Sequence, residues 1–366
     1  AQFALLSDYA DAPVQHLPGD TALLDAAAAA IAALNRRHGA DPGRAPRFLL
    51  LHRERSFSDS EQRWIGWERK RGKIEALLRV LAETGPGHRP FIDLGALYTP
   101  RTGTRYLLTL DADTDLLPGR LRQLAGIAAH PLHSPRFDAA QRRVTAGYAI
   151  VQPRVETPLS APESVTPYHA LFNGENGLDP YSAAASEVYQ DLFGEGSFSG
   201  KGLMDVRAAH VALAQRFADG QLLSHDLLEG SLARCAAASD VTVFEDAPLH
   251  ADVAASRLHR WTRGDWQLLP FVFGAGGVRV APINRWKMLD NLRRSLVAPC
   301  ALALLLLALA FGALPLATAL AVVLAAFVAG PLIGALAALA PSRDDIALAR
   351  FFAQSGAELL RCAALA

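Results

Sequence analysis

Short apolar runs alternate with longer amphipathic stretches through residues 1–290. "FALLSD" (Phe3–Asp8) reads as a strand ending in an acid, and "DTALLDAAAAAIAALNRRHG" as an Ala-rich helix capped at Asp20 and stopped at Gly39. "RFLLLHR" predicts a second strand, and "WERKRGKIEALLRVLAETG" leads into a helix ended by Gly85. "RYLLTL" predicts a third strand, "LPGRLRQLAGIAAHP" another helix, and "AGYAIVQPRV" a further strand. This order predicts an α/β domain with a mostly parallel sheet and helices on its faces. Ligands of such sheets bind beyond the carboxyl ends of strands, where Asp8 and Asp111–Asp115 fall. Residues 156–185, rich in Pro, Ser and Asn, suit a loop over a site, and no internal repeat is visible. A sheet of this kind would start one strand before Phe3, so the sequence reads as a fragment lacking its first strand.

The pattern changes late in the chain. From Leu296 to Ala340 there is no charged residue, enough for two membrane spans of about 20 residues each. Gly312 and Pro315 mark a turn between them, while Pro299 and Pro331 are tolerable inside membrane helices. Arg285, Lys287, Arg293 and Arg294 precede the first span and Arg343 follows the second, which by the positive-inside rule puts both flanks in the cytosol. The expected organisation is a cytosolic domain over 1–290, two transmembrane helices over 291–342, and an amphipathic or partial membrane segment over 343–366. Across all 366 residues, 36 basic side chains balance 36 acidic ones, so no bulk field favours nucleic acid. Cys235, Cys300 and Cys362 lie far apart and fit neither a disulfide scaffold nor a zinc site, which suits a reducing compartment.

Candidate chemistry centres on "TLDADTD", where Asp111, Asp113 and Asp115 alternate behind the third strand. Unpartnered buried charge is costly, so these acids face an opening, a cation, or both. A calcium loop needs Gly and Glu where Leu116 and Arg122 stand, and is excluded. An aspartyl phosphotransferase would use Asp111 as nucleophile but expects Thr at Asp115. A nucleotide-sugar transferase would use D-x-D to hold a divalent ion against a diphosphate. The bland alternative is a solvated acidic turn closed by Pro118 and Gly119.

Three other segments carry candidates. "GEGSFSGKG" (Gly194–Gly202) has Glu195 and Gly202 where a phosphate loop needs Gly and Ser or Thr; a flexible loop approaching a ligand remains. In "LLSHDLLEG", Asp226 is either a helix cap or a general base, with His225 and Glu229 beside it. "SRLHRWTRGDWQLLP" offers Arg257, Arg260 and Arg263 for phosphate, and Trp261 and Trp266 for a sugar face or a membrane surface. "WIGWERKRGK" adds a basic and aromatic cluster ending at Lys73.

In order along residues 1–270, "FALLSD", "IGWERKRGK", "TLDADT", "QPRV", "GLDPYSAAASEVYQDLFGEGSFSGKG", "LLSHDLLEG" and "HRWTRGDWQLLP" resemble the glycosyltransferase domain of bacterial cyclic β-1,2-glucan synthases. That branch lies near the processive family-two transferases such as cellulose synthase. The resemblance implies a GT-A (Rossmann-like) fold, UDP-glucose as donor, a glucan acceptor, Mg²⁺ or Mn²⁺, inversion at the sugar carbon, and residence in the bacterial inner membrane with the catalytic domain facing the cytosol. It makes Asp111 and Asp113 the metal and diphosphate pair and Asp226 the base. Asp8, Lys73, Asp111 and Arg260 become donor-side residues, and Gly196, Ser197, Trp261 and Glu229 acceptor-side ones. Arg257 stands where the wider family has Gln. Family members also carry helices before this domain and a phosphorylase-like domain after the later helices, neither of which is in this sequence. A cellulose-like synthase, a non-catalytic glycan-binding scaffold and a metal-dependent phosphohydrolase are the alternatives to weigh.

Overall fold

The computed structural model describes residues 1–38, 45–83, 89–158, 165–172, 187–220, 222, 225–275, 277–312, 314–337 and 347–365. The order begins β1 (Phe3–Asp8), α1 (Asp20–His38), β2 (Phe48–Arg53), β3 (Ser56–Ser58), β4 (Arg63–Ile65) and α2 (Arg69–Ala82). It continues with β5 (Tyr106–Thr109), β6 (Thr114–Asp115), α3 (Arg120–Ala129), β7 (Arg136–Asp138), β8 (Arg143–Ala146) and β9 (Ile150–Glu156). Next come α4 (Pro167–Phe172), α5 (Val188–Phe193), β10 (Gly202–Asp205), α6 (Val206–Leu213), α7 (Asp226–Ala233) and β11 (Cys235–Glu245). The chain ends with α8 (Ala251–Gln267), α9 (Leu269–Val272), α10 (Pro282–Phe311), α11 (Leu316–Ala337) and α12 (Leu348–Leu365). The expected stops at Gly39 and Gly85, and residues 159–164 and 173–185 of the expected site loop, lie outside the described residues.

The fold is mixed α/β around a central five-stranded sheet, ordered β5-β10-β9-β11-β6. The expectation of mostly parallel pairing is corrected. Strand β10 runs antiparallel to both β5 and β9, and β6 antiparallel to β11, while β9–β11 and β1–β2 are parallel. Successive side chains of β9 and β10 point to opposite faces, so Ile150 and Met204 enter one buried cluster while Val151 and Leu203 enter the other. Helices α6 and α7 cover the first face through Ala209, Leu213, Leu228 and Leu232, and α3 covers the second through Leu124 and Ala128. Leu6 of β1 and Leu107 of β5 pack against both the first cluster and a third one around Leu49 and Leu51, which joins the β1–β2 ladder to the sheet.

The apolar C-terminal region forms helices, as its composition predicts. Gly312 ends α10 at φ 62°, the left-handed conformation that glycine adopts without strain, and its N–H bonds the Ala308 carbonyl. Helix α10 is long and apolar enough to cross a membrane; the apolar part of α11 among the described residues, Leu316–Ala329, is shorter. The boundary expected at residue 291 falls inside helix α10. Helix α10 runs unbroken from Pro282, and its first turns bury Asn284, Lys287, Met288 and Leu292 against the sheet domain.

Candidate active site

Strand β5 delivers Asp111 and Asp113 to the rim of an open cleft of about 890 Å³, which Asp226, Arg257, Arg260 and Trp261 also line. Three separate sequence motifs therefore meet in one opening. Asp111 is held from two sides: Lys70 Nζ donates to Oδ1 at 2.5 Å and Lys201 Nζ contacts Oδ2 at 2.9 Å. Burial alone raises the Asp111 carboxyl, but the two ammonium groups overcome it and hold the acid below the usual carboxylate range. Lys201 also pairs with Glu245, at the end of β11. Burial disfavours the charged form of Lys201, yet these two acids outweigh it and raise the ammonium above its ordinary value.

One carboxylate oxygen each from Asp111, Asp113 and Glu245 lies within 4.8 Å of the others. Arg257 reaches the same set, 3.8 Å from Asp113 and 3.6 Å from Glu245, with its guanidinium 5.7 Å from the centre of the Trp261 ring. Arg257 thus ties the acidic set to helix α8 through ion pairs.

Asp226 is the first residue of α7, and His225 occupies the cap position without a side-chain cap bond. The capping role considered for Asp226 is not the one it plays. Its Oδ1 is buried and accepts no hydrogen bond among the described residues, with His225 Nε2 at 3.4 Å. Opposite it stands Gly200, at φ 86°, where an added Cβ would come within 2.8 Å of Asp226 Oδ2. Only a residue without a side chain lets this loop approach the acid so closely. Behind Asp226, the same His225 nitrogen lies 3.7 Å from Glu229.

Burial pushes the Glu229 carboxyl up to about 7, with His225 opposing the rise and Asp226 adding to it. The ordinary value is 4.5, so the folded protein keeps a proton that the unfolded chain releases in between. Folding stability should fall as pH rises from about 4.5 to about 7. Glu229→Gln should flatten that slope and gain on the order of 3 kcal/mol at pH 8. Thermal unfolding against pH measures this, and a variant with the native slope would show that Glu229 does not hold the proton.

Other expected residues fall elsewhere. Asp8 lies at the end of β1, where Arg53 donates to it at 2.8 and 3.1 Å and Lys73 sits 3.3 Å away. Asp8 and Lys73 do not line the cleft; Lys70, one turn before Lys73 on α2, does. Gly196 and Ser197 lie below the cleft, where the Gly196 N–H bonds Cys235 O and Ser197 is buried. From the same loop, Ser199 and Lys201 are the residues that line the opening. Glu229 is buried behind Asp226 rather than exposed to a ligand. At the cleft lip, Glu68 and Arg69 adopt φ 50° and 45°, a strained conformation for non-glycine residues. Ion pairs from Arg69 to Asp11 and Glu61, and from Arg71 to Glu68, fix it.

Over 301 residues, 82% of this chain, the sequence is 44% identical to the cyclic beta-(1,2)-glucan synthase NdvB of Rhizobium meliloti (strain 1021). This chain is related to that synthase. The match covers 10% of the synthase's own length, so the chain spans about a tenth of the relative. No family model matches the chain. The cleft also holds Lys70, Lys201 and Glu245, to which no sequence motif assigned a role. Lys201 was visible inside the glycine-dense loop, and Lys70 stood beside Lys73 in "WERKRGK". Glu245 gave no motif at all.

Proposed function

We propose that this chain is the glucosyltransferase part of a membrane β-1,2-glucan synthase, a GT-A domain that takes glucose from UDP-glucose and transfers it with inversion to a glucan acceptor. The observation that carries the reading is the single cleft lined by both the Asp111–Asp113 pair and the uncapped Asp226. A glycan-binding scaffold has no use for that combination, and the relationship to a glucan synthase supports the same chemistry.

A divalent cation suits the donor set. The oxygens of Asp111, Asp113 and Glu245 converge within 4.8 Å, and hard carboxylate oxygens favour Mg²⁺ or Mn²⁺. When bound, such an ion neutralises charge on the leaving diphosphate. Lys70, Lys201 and Arg260 would share that charge as it develops on UDP. Asp226 accepts the proton of the acceptor hydroxyl, whose oxygen bonds to the anomeric carbon while the bond from that carbon to the phosphate oxygen breaks on the opposite side. One displacement of this kind inverts the centre. Trp261, 41% exposed at the cleft edge, offers a flat face to an acceptor sugar. Helix α10 would anchor the domain to the bacterial inner membrane, with the cleft on the cytosolic side.

The test is the full-length protein in its native membranes, supplied with UDP-glucose and Mg²⁺ or Mn²⁺. Release of UDP with growth of a β-1,2-linked product is expected. A β-1,4 product would replace the linkage assignment with a cellulose-like one, and absence of donor turnover with either ion would end the transferase reading.

A further inference from the structure

The loop from Gly194 to Lys201 is fixed at both ends by different parts of the molecule. Its far end places Gly200 against Asp226 and Lys201 between Asp111 and Glu245. Its near end is gripped by the root of α10. Lys287 is 0% exposed, and its ammonium donates to two main-chain carbonyls, Glu195 O at 3.0 Å and Gly196 O at 2.8 Å. One turn earlier, Asn284 Nδ2 donates to Glu195 Oε1 at 3.0 Å. The Tyr189 ring lies 5.1 Å from the same ammonium.

Little slack separates the two ends. Phe198 packs so tightly on Gly230 of α7 that a Cβ there would approach Phe198 Cβ to 2.6 Å. The next residue is tied to β9, with the Ser199 N–H donating to Gln152 Oε1 at 2.6 Å. A fully buried ammonium is expensive to desolvate, and an apolar side chain would fill the space at lower cost if filling were all that is required. What Lys287 supplies instead is a directed hold on two consecutive carbonyls of the loop, at the start of a path six residues long that ends at Lys201.

We propose that Lys287 is a positioning residue for glucosyl transfer. The helix of membrane-crossing length sets the placement of the Glu195–Lys201 loop and, through it, of Asp226 and Lys201. The inference rests on the transferase reading given above. It makes the transfer geometry depend on how α10 is seated, so that the membrane helix is part of the catalytic scaffold as well as an anchor.

The experiment uses the full-length protein in native membranes, carrying Lys287→Met, Asp226→Asn, or both. A misplacement of about 1 Å costs on the order of 10²-fold in rate, so kcat for donor turnover should fall at least about tenfold in Lys287→Met, with a smaller change in the KM for UDP-glucose. Because both substitutions act on one step, the double variant should lose much less than the product of the single losses. A residue that merely supports folding would lower the amount of folded enzyme and leave kcat per folded molecule unchanged. That result, or fully multiplicative losses, would overturn the proposal. Should Lys287→Met fail to accumulate, Asn284→Ala carries the same measurements with a smaller loss in kcat. No donor turnover by the native protein with either ion sinks the transferase reading itself; an Asp226→Asn enzyme at native rate, or a silent Asp226→Asn beside native kcat in Lys287→Met or Asn284→Ala, sinks only this inference.

Discussion

Replacing Asp226 with Asn should lower glucosyl transfer by about 10²–10⁴-fold, the usual worth of general-base assistance, while UDP titration gives an unchanged affinity. The side chain keeps its shape and can no longer accept a proton. The structure supports the separation of the two effects. Asp226 Oδ1 accepts no hydrogen bond among the described residues, so its loss breaks no internal bond that holds the donor side together. The cations nearest the diphosphate acids, Lys70 and Lys201, pair with Asp111 and Glu245. Steady-state transfer assays beside calorimetric titration with UDP measure both quantities. A variant that kept the native rate would remove Asp226 from the proton transfer, and one that lost UDP affinity in proportion to rate would make it a donor-binding group.

How far the sequence revealed this site depended on which signals were local. Strands β1, β2 and β5 and helices α1, α2 and α3 are continuous apolar or amphipathic runs, and the structure places them where the pattern does. Strand β10 gave no such run: only Leu203 and Met204 are apolar in a four-residue strand that follows a glycine-dense loop, and nothing local reports strand direction. Hence the antiparallel centre of the sheet was missed. Strand β11 loses its alternation where the register shifts between Ala238 and Thr242, which hid its terminal acid, Glu245, from motif reading. Lys73 and Lys70 show a different limit of motif reading. Residues three apart on a helix share a face, and here that one face serves two carboxylates, Lys73 reaching Asp8 and Lys70 reaching Asp111. Only three-dimensional placement tells which of them borders the cleft. The role of Lys287 has the same origin: in the sequence it is one of several basic residues ahead of an apolar span, and its burial comes from α10 starting inside the domain.

The second large effect should come from Asp111→Asn, and its dependence on the divalent ion is more informative than its size. Groups that merely orient a metal ligand are worth about 10- to 100-fold in metal affinity, so loss of a carboxylate that would hold the ion should lower affinity for UDP in the presence of Mg²⁺ or Mn²⁺ at least on that order. Polymer synthesis should fall at least as far. Without the ion the sign should reverse. In the folded protein Asp111 already neutralises Lys70 and Lys201, and a diphosphate must compete with it for them. The amide leaves both ammonium groups freer, although Glu245 still holds Lys201, so ion-free UDP should bind as well as or better than it does to the native enzyme. Titrations with and without the ion therefore cross. Equal weakening in both conditions would mean that Asp111 acts by placing the two lysines and that no ion bridges it to the donor. An unchanged affinity in both would remove Asp111 from donor binding, and with it the argument that this cleft grips a sugar nucleotide through its phosphates.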